Sequence, residues 1–268
     1  MARSDYLRIV LVFLALGALL GLGGVIFRQV WLLYVVAVLA AIGAAALGFS
    51  IIGLFGKYGP PAAGYFRRLL RMGDVNGRVV VADLHVGTYR HTYMLAELLP
   101  EATIHTVDCF SAKEHCTERD IQEIRNLDSA PAGHPRIDAL RADEFILPLA
   151  DASCDVVVFG MGTHEIPRDG PREKLFSEAR RILKPGGKAL LFEHGRDLRN
   201  FLVLGPAIHH LAGRDEWLAL MQAHFTCVQY ARTWHPADLF VGTRTAWPDC
   251  RPEDAPADAR PIREVSRE

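Results

Sequence analysis

The amino-terminal fifth of the chain is almost continuously apolar, whereas the rest alternates short apolar runs with polar segments. Two long apolar runs, Leu7–Phe27 and Val30–Phe55, are interrupted only by Arg28 and Gln29. Each run is long enough to cross a bilayer as a helix, and both contain glycines, which are common in packed membrane helices. We therefore predict a transmembrane helical hairpin; the alternative for the first run is a secretory signal peptide.

Basic residues lie on both sides of this hairpin and predict its orientation. They are Arg3 and Arg8 before the first run, and Lys57, Arg67, Arg68 and Arg71 after the second. By the positive-inside rule, both ends of the hairpin face the cytoplasm. We therefore predict a protein of the inner (cytoplasmic) membrane whose soluble domain faces the cytoplasm.

Two further segments differ in composition from the soluble domain. Gly56–Gly64 is rich in glycine and proline, which predicts a linker. Tyr65–Met72 is short, basic and aromatic, which suits a helix at the headgroup surface; the alternative is an ordinary first helix of the soluble domain. Trp247–Glu268 is rich in proline and charge and lacks apolar periodicity, so it predicts a flexible tail.

Between these segments, short apolar runs alternate with amphipathic ones. The apolar runs predict strands near Arg78–Asp83, Thr103–Val107, Arg136–Ala139, Cys154–Phe159, Lys188–Glu193, Cys227–Ala231 and Asp238–Gly242. The amphipathic segments predict helices near Tyr89–Leu99, Ala112–Leu127, Pro171–Leu183 and Arg214–His224. This alternation is typical of an α/β domain in which helices cover both faces of a mainly parallel sheet.

The stretch Val79–Thr92, VVVADLHVGTYRHT, has the order strand, turn, helix that forms many ligand sites. A helix N-terminus offers unpaired N–H groups, and a turn containing Gly87 lets a ligand approach the backbone. The strand ends at Asp83, and the next predicted strand is followed by Asp108, about 25 residues later. That spacing suits a carboxylate that accepts hydrogen bonds from ribose hydroxyls.

Two later segments make the pattern more specific. They are RADEFILPLADASCDVVVFGMGTHEIP (Arg141–Pro167) and LFSEARRILKPGGKALLFEH (Leu175–His194). With the first unit they resemble the class I S-adenosylmethionine-dependent methyltransferases, in particular the branch that methylates small molecules, quinones and lipids. The resemblance covers roughly Val79 to Arg244. It implies a Rossmann-like seven-stranded sheet of order 3-2-1-4-5-7-6, with strand 7 antiparallel, and S-adenosylmethionine as the cofactor.

The resemblance also implies a cofactor site at the carboxyl ends of strands 1 to 4. Its residues would be Asp83, His85 and Gly87 beside the methionine moiety, Asp108 at the ribose, Ala142 and Asp143 at the adenine, and Gly160 and Met161 facing the sulfonium. The first motif departs from the family pattern, acid-x-Gly-x-Gly-x-Gly, because His85 and Tyr89 replace two of its glycines. The imidazole of His85 must point away, cover the carboxylate end of the cofactor, or fill the site.

Candidate catalytic residues follow strand 4. His164 and Glu165 lie where the family places its substrate-facing loop, and a histidine with a near-neutral pKa can accept a proton from a phenol or a carbon acid. The alternative is that this pair only caps the loop before Pro167. Glu193 and His194, after strand 5, form a second acid–histidine pair.

Charge and cysteine content narrow the function classes. A formal net charge of −1 and a pI near 6.8 argue against binding to a nucleic-acid backbone. The five cysteines show no close pair, and their predicted cytoplasmic location favours reduced thiols and no metal site.

The sequence thus divides into a transmembrane hairpin (1–56), a linker with an interfacial helix (57–73), a methyltransferase-like domain (74–246) and a tail (247–268). We expect membrane-anchored methyl transfer to a small, apolar acceptor such as a quinone precursor or lipid. The alternative is a degenerate methyltransferase fold that serves as a binding or assembly module in the membrane, without catalysis. Nothing in the sequence indicates the oligomeric state.

Overall fold

The computed structural model describes residues 3–26, 29–59, 61–110, 125, 130–160, 162–233 and 237–245. Two long helices, α1 (Arg3–Ile26) and α2 (Val30–Tyr58), come first and pack side by side. Among the described residues, Val30–Gly56 of α2 is the one helical stretch long and apolar enough to span a membrane, and it is exposed along most of its length. The apolar part of α1, Leu11–Ile26, is shorter than a typical span.

A seven-stranded sheet forms the centre of the rest of the chain. Its strands are β1 (Val80–His85), β2 (Thr103–Asp108), β3 (Ile137–Arg141), β4 (Cys154–Phe159), β5 (Leu183–Glu193), β6 (Thr226–Arg232) and β7 (Asp238–Thr243). The order is β3-β2-β1-β4-β5-β7-β6. Strand β7 is antiparallel to both of its neighbours, and the other pairs are parallel. This is the predicted Rossmann-like topology.

Within the described segments of the chain, the α-helices that accompany the sheet are α3 (Ala62–Met72), α4 (Arg90–Leu98), α5 (Glu173–Ile182), α6 (Leu198–Leu204) and α7 (Arg214–His224). The predicted helix at Ala112–Leu127 lies outside the described residues except for Arg125, which is helical. The predicted tail, Trp247–Glu268, also lies outside them. Helix α6 ends where Gly205-Pro206 interrupts the apolar segment Leu198–Leu211.

The turn after α5, which lies in the first part of β5, needs the glycines that the sequence has there. Gly186 has a φ of +80°, which L side chains rarely adopt. A Cβ at Gly187 would lie 2.9 Å from the carbonyl oxygen of Lys184 and 3.0 Å from that of Asp155, so there is no room for a side chain. The chain therefore reverses at the predicted Lys-Pro-Gly-Gly segment, although β5 is long enough to include the turn itself.

Helix α3 belongs to the core of the soluble domain. It buries Phe66 and Leu69 completely and packs against α4, β5 and β7. The spacing of Phe66, Leu69 and Leu70 places them on one face, as in an amphipathic surface helix. Because α2 continues to Tyr58, only residues 59–61 join it to α3, so the connection is shorter than the predicted linker Gly56–Gly64.

Apolar side chains fill both faces of the sheet. One face packs Phe159, Phe176 and Trp217, and the other packs Phe66 and Phe192, all fully buried. The rings of Phe159 and Phe176 stack at a centroid distance of 4.3 Å. These two layers hold the strands rigidly, so the residues at their carboxyl ends have fixed positions.

The prediction that all the thiols are reduced is wrong for Cys227, which is disulfide-bonded. Cys109 and Cys154 are free and buried. Neighbouring charges and periodicity gave no signal for this bond, since a disulfide depends on the distance between residues that are far apart in sequence.

Candidate active site

The carboxyl ends of β1 and β2 bring two of the predicted cofactor residues together. The parallel register pairs His85 with Asp108 at the last position of both strands. Asp83 lies two residues before His85 in β1 and is fully buried. Its Oδ2 accepts a 2.6 Å hydrogen bond from the hydroxyl of Thr92. Its Oδ1 has no hydrogen-bond partner, and burial raises the pKa of Asp83 to about 6, although the Thr92 bond lowers it.

His85 lies inside the site and does not point into solvent. It is only 7% exposed and contacts Tyr89 edge to face at 4.7 Å between ring centroids. Neither ring nitrogen has a hydrogen-bond partner of standard geometry, although an interaction with the backbone of Gly87 raises the pKa of the imidazole. Burial lowers the pKa of His85 to about 4, although the carboxylate of Asp108 raises it. The imidazole is therefore neutral at physiological pH, with one donor and one acceptor nitrogen unused.

Asp108 is engaged by an arginine that sequence reasoning missed. Arg125 Nη1 and Nη2 donate to the two carboxylate oxygens at 2.8 and 2.5 Å, and the backbone N–H of Phe110 donates at 3.0 Å. The guanidinium also donates to the carbonyl of Val86 and stacks over the ring of Phe110 at 4.2 Å. Although burial raises the pKa of Asp108, these hydrogen bonds hold it below its usual value, so the carboxylate is ionised.

The remaining predicted cofactor residues surround this edge. The backbone N–H of Ala142 donates to the carbonyl of Asp108 at 2.9 Å, which holds the turn after β3 beside the end of β2. Asp143 forms an isolated bridge with Ile146, and its side chain is exposed. Gly160 is buried after β4, where a Cβ would lie 3.1 Å from Nδ1 of His91.

Gly87 and Met161 are the other two predicted cofactor positions. Gly87 is half-buried in the turn between β1 and α4. Met161 lies outside the described residues.

The two acid–histidine pairs of the sequence form one buried network after β4 and β5. Glu193 is fully buried and accepts hydrogen bonds from the backbone N–H groups of Gly162, His164 and His194 at 3.0, 3.1 and 3.0 Å. Its Oε2 lies 2.8 Å from Nδ1 of His164, and Nε2 of His164 lies 3.0 Å from Oε1 of Glu165. The imidazole is thus held between two carboxylates.

This arrangement determines the protonation state of His164. Burial lowers its pKa, but the carboxylates of Glu193 and Glu165 outweigh this effect and raise it to about 10. The side chain therefore carries a positive charge at neutral pH. A role for His164 as general base stays a prediction, and the geometry argues against it because both ring nitrogens face carboxylates and hold protons.

Arg172 completes the network from the other side of the loop. Its Nη2 donates to the carbonyl oxygens of His164 and Ile166 at 3.0 and 2.7 Å, and the guanidinium lies 4.7 Å from the centroid of the Trp217 ring. The loop after β4 is thereby fixed by two cations, His164 and Arg172, together with two carboxylates and an aromatic ring. Within the described part of the chain, no cluster of three or more histidine, cysteine or acidic side chains is arranged to hold a metal ion.

Comparison with known proteins identifies the domain to which this end of the sheet belongs. Residues 82–191 match a protein-family model described as "Methyltransferase domain". The chain therefore contains a methyltransferase domain. The match begins within β1 and ends within β5, so it includes Asp83, Asp108 and the loop with His164. No curated protein matches the chain.

Solved structures share the fold of the methyltransferase domain. A SAM-dependent methyltransferase from Aquifex aeolicus is 14% identical with a TM-score of 0.51, covering 66% of this chain and 88% of the other. PhzM, a pyocyanin biosynthetic protein, is 16% identical with a TM-score of 0.52, covering 72% of this chain and 57% of the other. At these identities the similarity shows the fold alone. Together with the family match, the shared fold supports methyl transfer with S-adenosylmethionine as the cofactor.

The side chains at this edge fit that cofactor. The carboxylate of Asp108 ends β2, and carboxylate oxygens are the acceptors that a pair of ribose hydroxyls requires. The buried ring nitrogens of His85 and Oδ1 of Asp83 lack partners, and buried polar atoms of this kind are normally satisfied by a ligand or water. Arg125 engages the same carboxylate oxygens of Asp108, so a ribose would have to share or displace it.

Proposed function

We propose that this protein is a membrane-anchored enzyme that transfers a methyl group to a small, apolar acceptor such as a quinone precursor or lipid. One observation carries the proposal: helix α2 is apolar, largely exposed and long enough to span a bilayer, and only residues 59–61 join it to the first helix of the methyltransferase domain. So short a connection keeps the domain at the membrane surface. An anchored enzyme meets a lipid-phase acceptor at a high effective concentration.

S-adenosylmethionine supplies an electrophilic methyl group on a sulfonium. We propose that Asp108 accepts from the ribose hydroxyls, Ala142 and Asp143 lie at the adenine, and Gly160 lies at the sulfonium. Asp83, His85 and Gly87 would take the methionine end. A neutral His85 can donate one N–H to a carboxylate there, which would satisfy a nitrogen that now lacks a partner.

The other residues act mainly by positioning. The His164 cation, held between Glu165 and Glu193, fixes the loop that follows β4 and hence the wall of the acceptor side. For an acceptor that needs no deprotonation, alignment with the methyl group supplies much of the rate enhancement. For a phenol or carbon acid, the charged His164 cannot accept the proton, so a base would have to be another group.

We further propose that the acceptor reaches the site through the region Leu198–Leu211, which follows β5. Leu198 and Phe201 are exposed, and Ile208 is half-buried in the 3-10 turn Gly205–His210. An apolar surface next to the active site suits an acceptor delivered from lipid.

We place the domain on the cytoplasmic side because of the arginines and lysines that flank the hairpin. The disulfide of Cys227 favours the opposite, oxidising side, because disulfides are rare in the cytosol. These two features make opposite predictions, which a topology measurement separates.

A binding or assembly module without catalysis is the second candidate. It is favoured by His85, which replaces a glycine and is buried in the site, and by Arg125, which engages Asp108. Under this function the site is closed to the cofactor.

Isothermal titration of the full-length protein in detergent with S-adenosylmethionine and S-adenosylhomocysteine separates the two candidates. We expect the protein to bind the cofactor. We also expect that, after incubation with membrane extract and methyl-labelled cofactor, the label is found in the organic phase. Ile208→Asp should reduce that label without changing cofactor affinity. Absence of binding would favour the module, and label only in water-soluble products would refute the apolar acceptor.

A further inference from the structure

Helix α6 links the edge of the active site to the membrane helix α2. The hydroxyl of Ser50 in α2 donates a 2.9 Å hydrogen bond to the carbonyl oxygen of Leu202. One helical turn further along α2, Gly53 lies against Val203, which is 4% exposed. A Cβ built at Gly53 would lie 2.5 Å from Cγ2 and 2.9 Å from Cγ1 of Val203, a separation that real Cβ atoms do not show. The absence of a side chain at Gly53 therefore permits this contact. We call Ser50 and Gly53 the α2 seat.

The start of α6 is bound to the soluble domain, whereas its end contacts α2. Asp197 caps the helix by accepting from the N–H groups of Arg199 and Asn200 at 2.8 and 3.0 Å. Its carboxylate also pairs with Arg232 of β6. The buried amide of Asn200 donates to the carbonyl of Gly195 at 2.7 Å. The soluble domain therefore holds the start of α6, and α2 contacts its end.

The outer face of α6 is apolar and exposed. Leu198, Phe201 and Leu202 are 73%, 43% and 48% exposed, and their spacing places them on one side of the helix. The neighbouring part of α2 is equally apolar and exposed, with Phe49 at 38% and Ile52 at 54%. The two helices therefore present adjoining apolar surfaces. Exposed apolar patches of this kind mark contacts with a partner or with lipid.

The depth of the α2 seat identifies lipid as the partner. A helix rises about 1.5 Å per residue, so about 20 residues cross a hydrocarbon core of about 30 Å. Counted from Val30, where the apolar stretch begins, this distance is reached near Ser50, so the last residues of the stretch, up to Gly56, extend past the hydrocarbon core. The seat then lies where the hydrocarbon gives way to headgroups, and α6 lies at the same level. Arg199 in α6 can extend to the headgroups while its apolar neighbours enter the boundary.

We propose that α6 sits on the α2 seat and inserts its apolar face into the bilayer interface, so that the methyltransferase domain has a second membrane contact besides its anchor. The contact turns the acceptor side of the active site, which follows β5, toward lipid. The functional part of this inference rests on the proposed lipid-phase acceptor, whereas the position of α6 does not.

Spin labelling of the full-length protein in lipid nanodiscs tests the position directly. A nitroxide attached after Leu198→Cys should be more accessible to oxygen than to a water-soluble nickel chelate. The control is Lys174→Cys on α5, an exposed position of the soluble domain that should show the opposite preference. Equal preference for the nickel chelate at both positions would overturn the proposal.

The α2 seat offers a matched pair of glycine variants. Gly53→Ala should force Val203 and α6 away, lowering the oxygen accessibility at Leu198→Cys and reducing turnover of a lipid-phase acceptor about tenfold, with cofactor affinity unchanged. Gly48→Ala, where a Cβ meets nothing within 4 Å, should change neither quantity. Equal effects of the two variants on the label would refute the seat. Unchanged cofactor affinity in Gly53→Ala shows that the domain remains folded.

The two proposals fail in different ways. A lipid-exposed label with no organic-phase product would leave α6 in the membrane and refute the lipid-phase acceptor. Organic-phase product with a water-exposed label at Leu198 would refute the position of α6 and retain the acceptor.

Discussion

Replacement of His164 tests whether its side chain acts as a buried cation or as a general base. In His164→Gln, the amide keeps much of the volume and loses the charge that compensates Glu193, which is completely buried. Removing one partner of a buried ion pair costs about 3–5 kcal/mol. The rise in the pKa of His164 from 6.5 to about 10 corresponds to about 5 kcal/mol, which is of the same order. We expect the free energy of unfolding to fall by this amount at pH 6.

The pH dependence gives the sign of the effect. Because the pKa of His164 is raised in the folded state, its contribution is complete below the unfolded value of about 6.5 and is lost as pH rises toward about 10. The difference in unfolding free energy between wild type and His164→Gln should therefore shrink across this range. For the same reason, we expect the rate of methyl transfer by the wild type to show no inflection near pH 6.5. A general base at His164 would instead produce such an inflection, and His164→Gln would remove it.

Urea denaturation of the full-length protein in detergent, followed by the fluorescence of buried tryptophan, measures the difference. His224→Gln is the matched control, because His224 pairs with Glu173 at 2.7 Å but Glu173 is 58% exposed. Exposed pairs contribute about 0–1 kcal/mol. If both variants lose equally little stability, or if the rate of the wild type titrates near pH 6.5 through His164, the buried-cation assignment is refuted.

Asp108→Ala should weaken S-adenosylmethionine binding by about 2–4 kcal/mol in isothermal titration, because two charge-assisted hydrogen bonds to the ribose are lost; unchanged affinity in a folded variant would remove Asp108 from the site. His85→Gly should change affinity modestly if the protein is an enzyme, whereas new binding where the wild type has none would identify the non-catalytic module. Reporter fusions after Phe55 and at Glu268 should both report the cytoplasm, and a periplasmic signal from either would overturn that topology. Cys227 should resist alkylation of the unfolded, unreduced protein and react after reduction; reaction before reduction would contradict its disulfide.

The strand order could be expected from the sequence because its signals are local or belong to a recognised family. Asp83 and Asp108 each follow a short apolar run, and such runs become buried parallel strands whose carboxyl ends meet. The Lys-Pro-Gly-Gly turn likewise depends on the backbone conformation of Gly186 and the lack of space at Gly187. These features are properties of a few adjacent residues.

The details of the site depend on contacts between distant residues, which periodicity cannot reveal. Glu193 approaches His164 only because β4 and β5 are neighbours, and this contact changes a candidate base into a fixed cation. Arg125 reaches Asp108 from the far end of the segment after β2. The contact between Gly53 and Val203 joins residues 150 positions apart, and a glycine in an apolar helix carries no signal of its partner.

The three residues between α2 and α3 also have a consequence for kinetics. In the proposed membrane-anchored state, a domain joined to its anchor by three residues explores a surface, and it does not sample the volume of the solution. For an acceptor dissolved in the membrane, the relevant concentration is its mole fraction among the lipids. Diluting the assay with buffer should then leave the rate per enzyme constant, whereas adding inert lipid should lower it, so a KM for this acceptor has meaning only at a stated lipid composition.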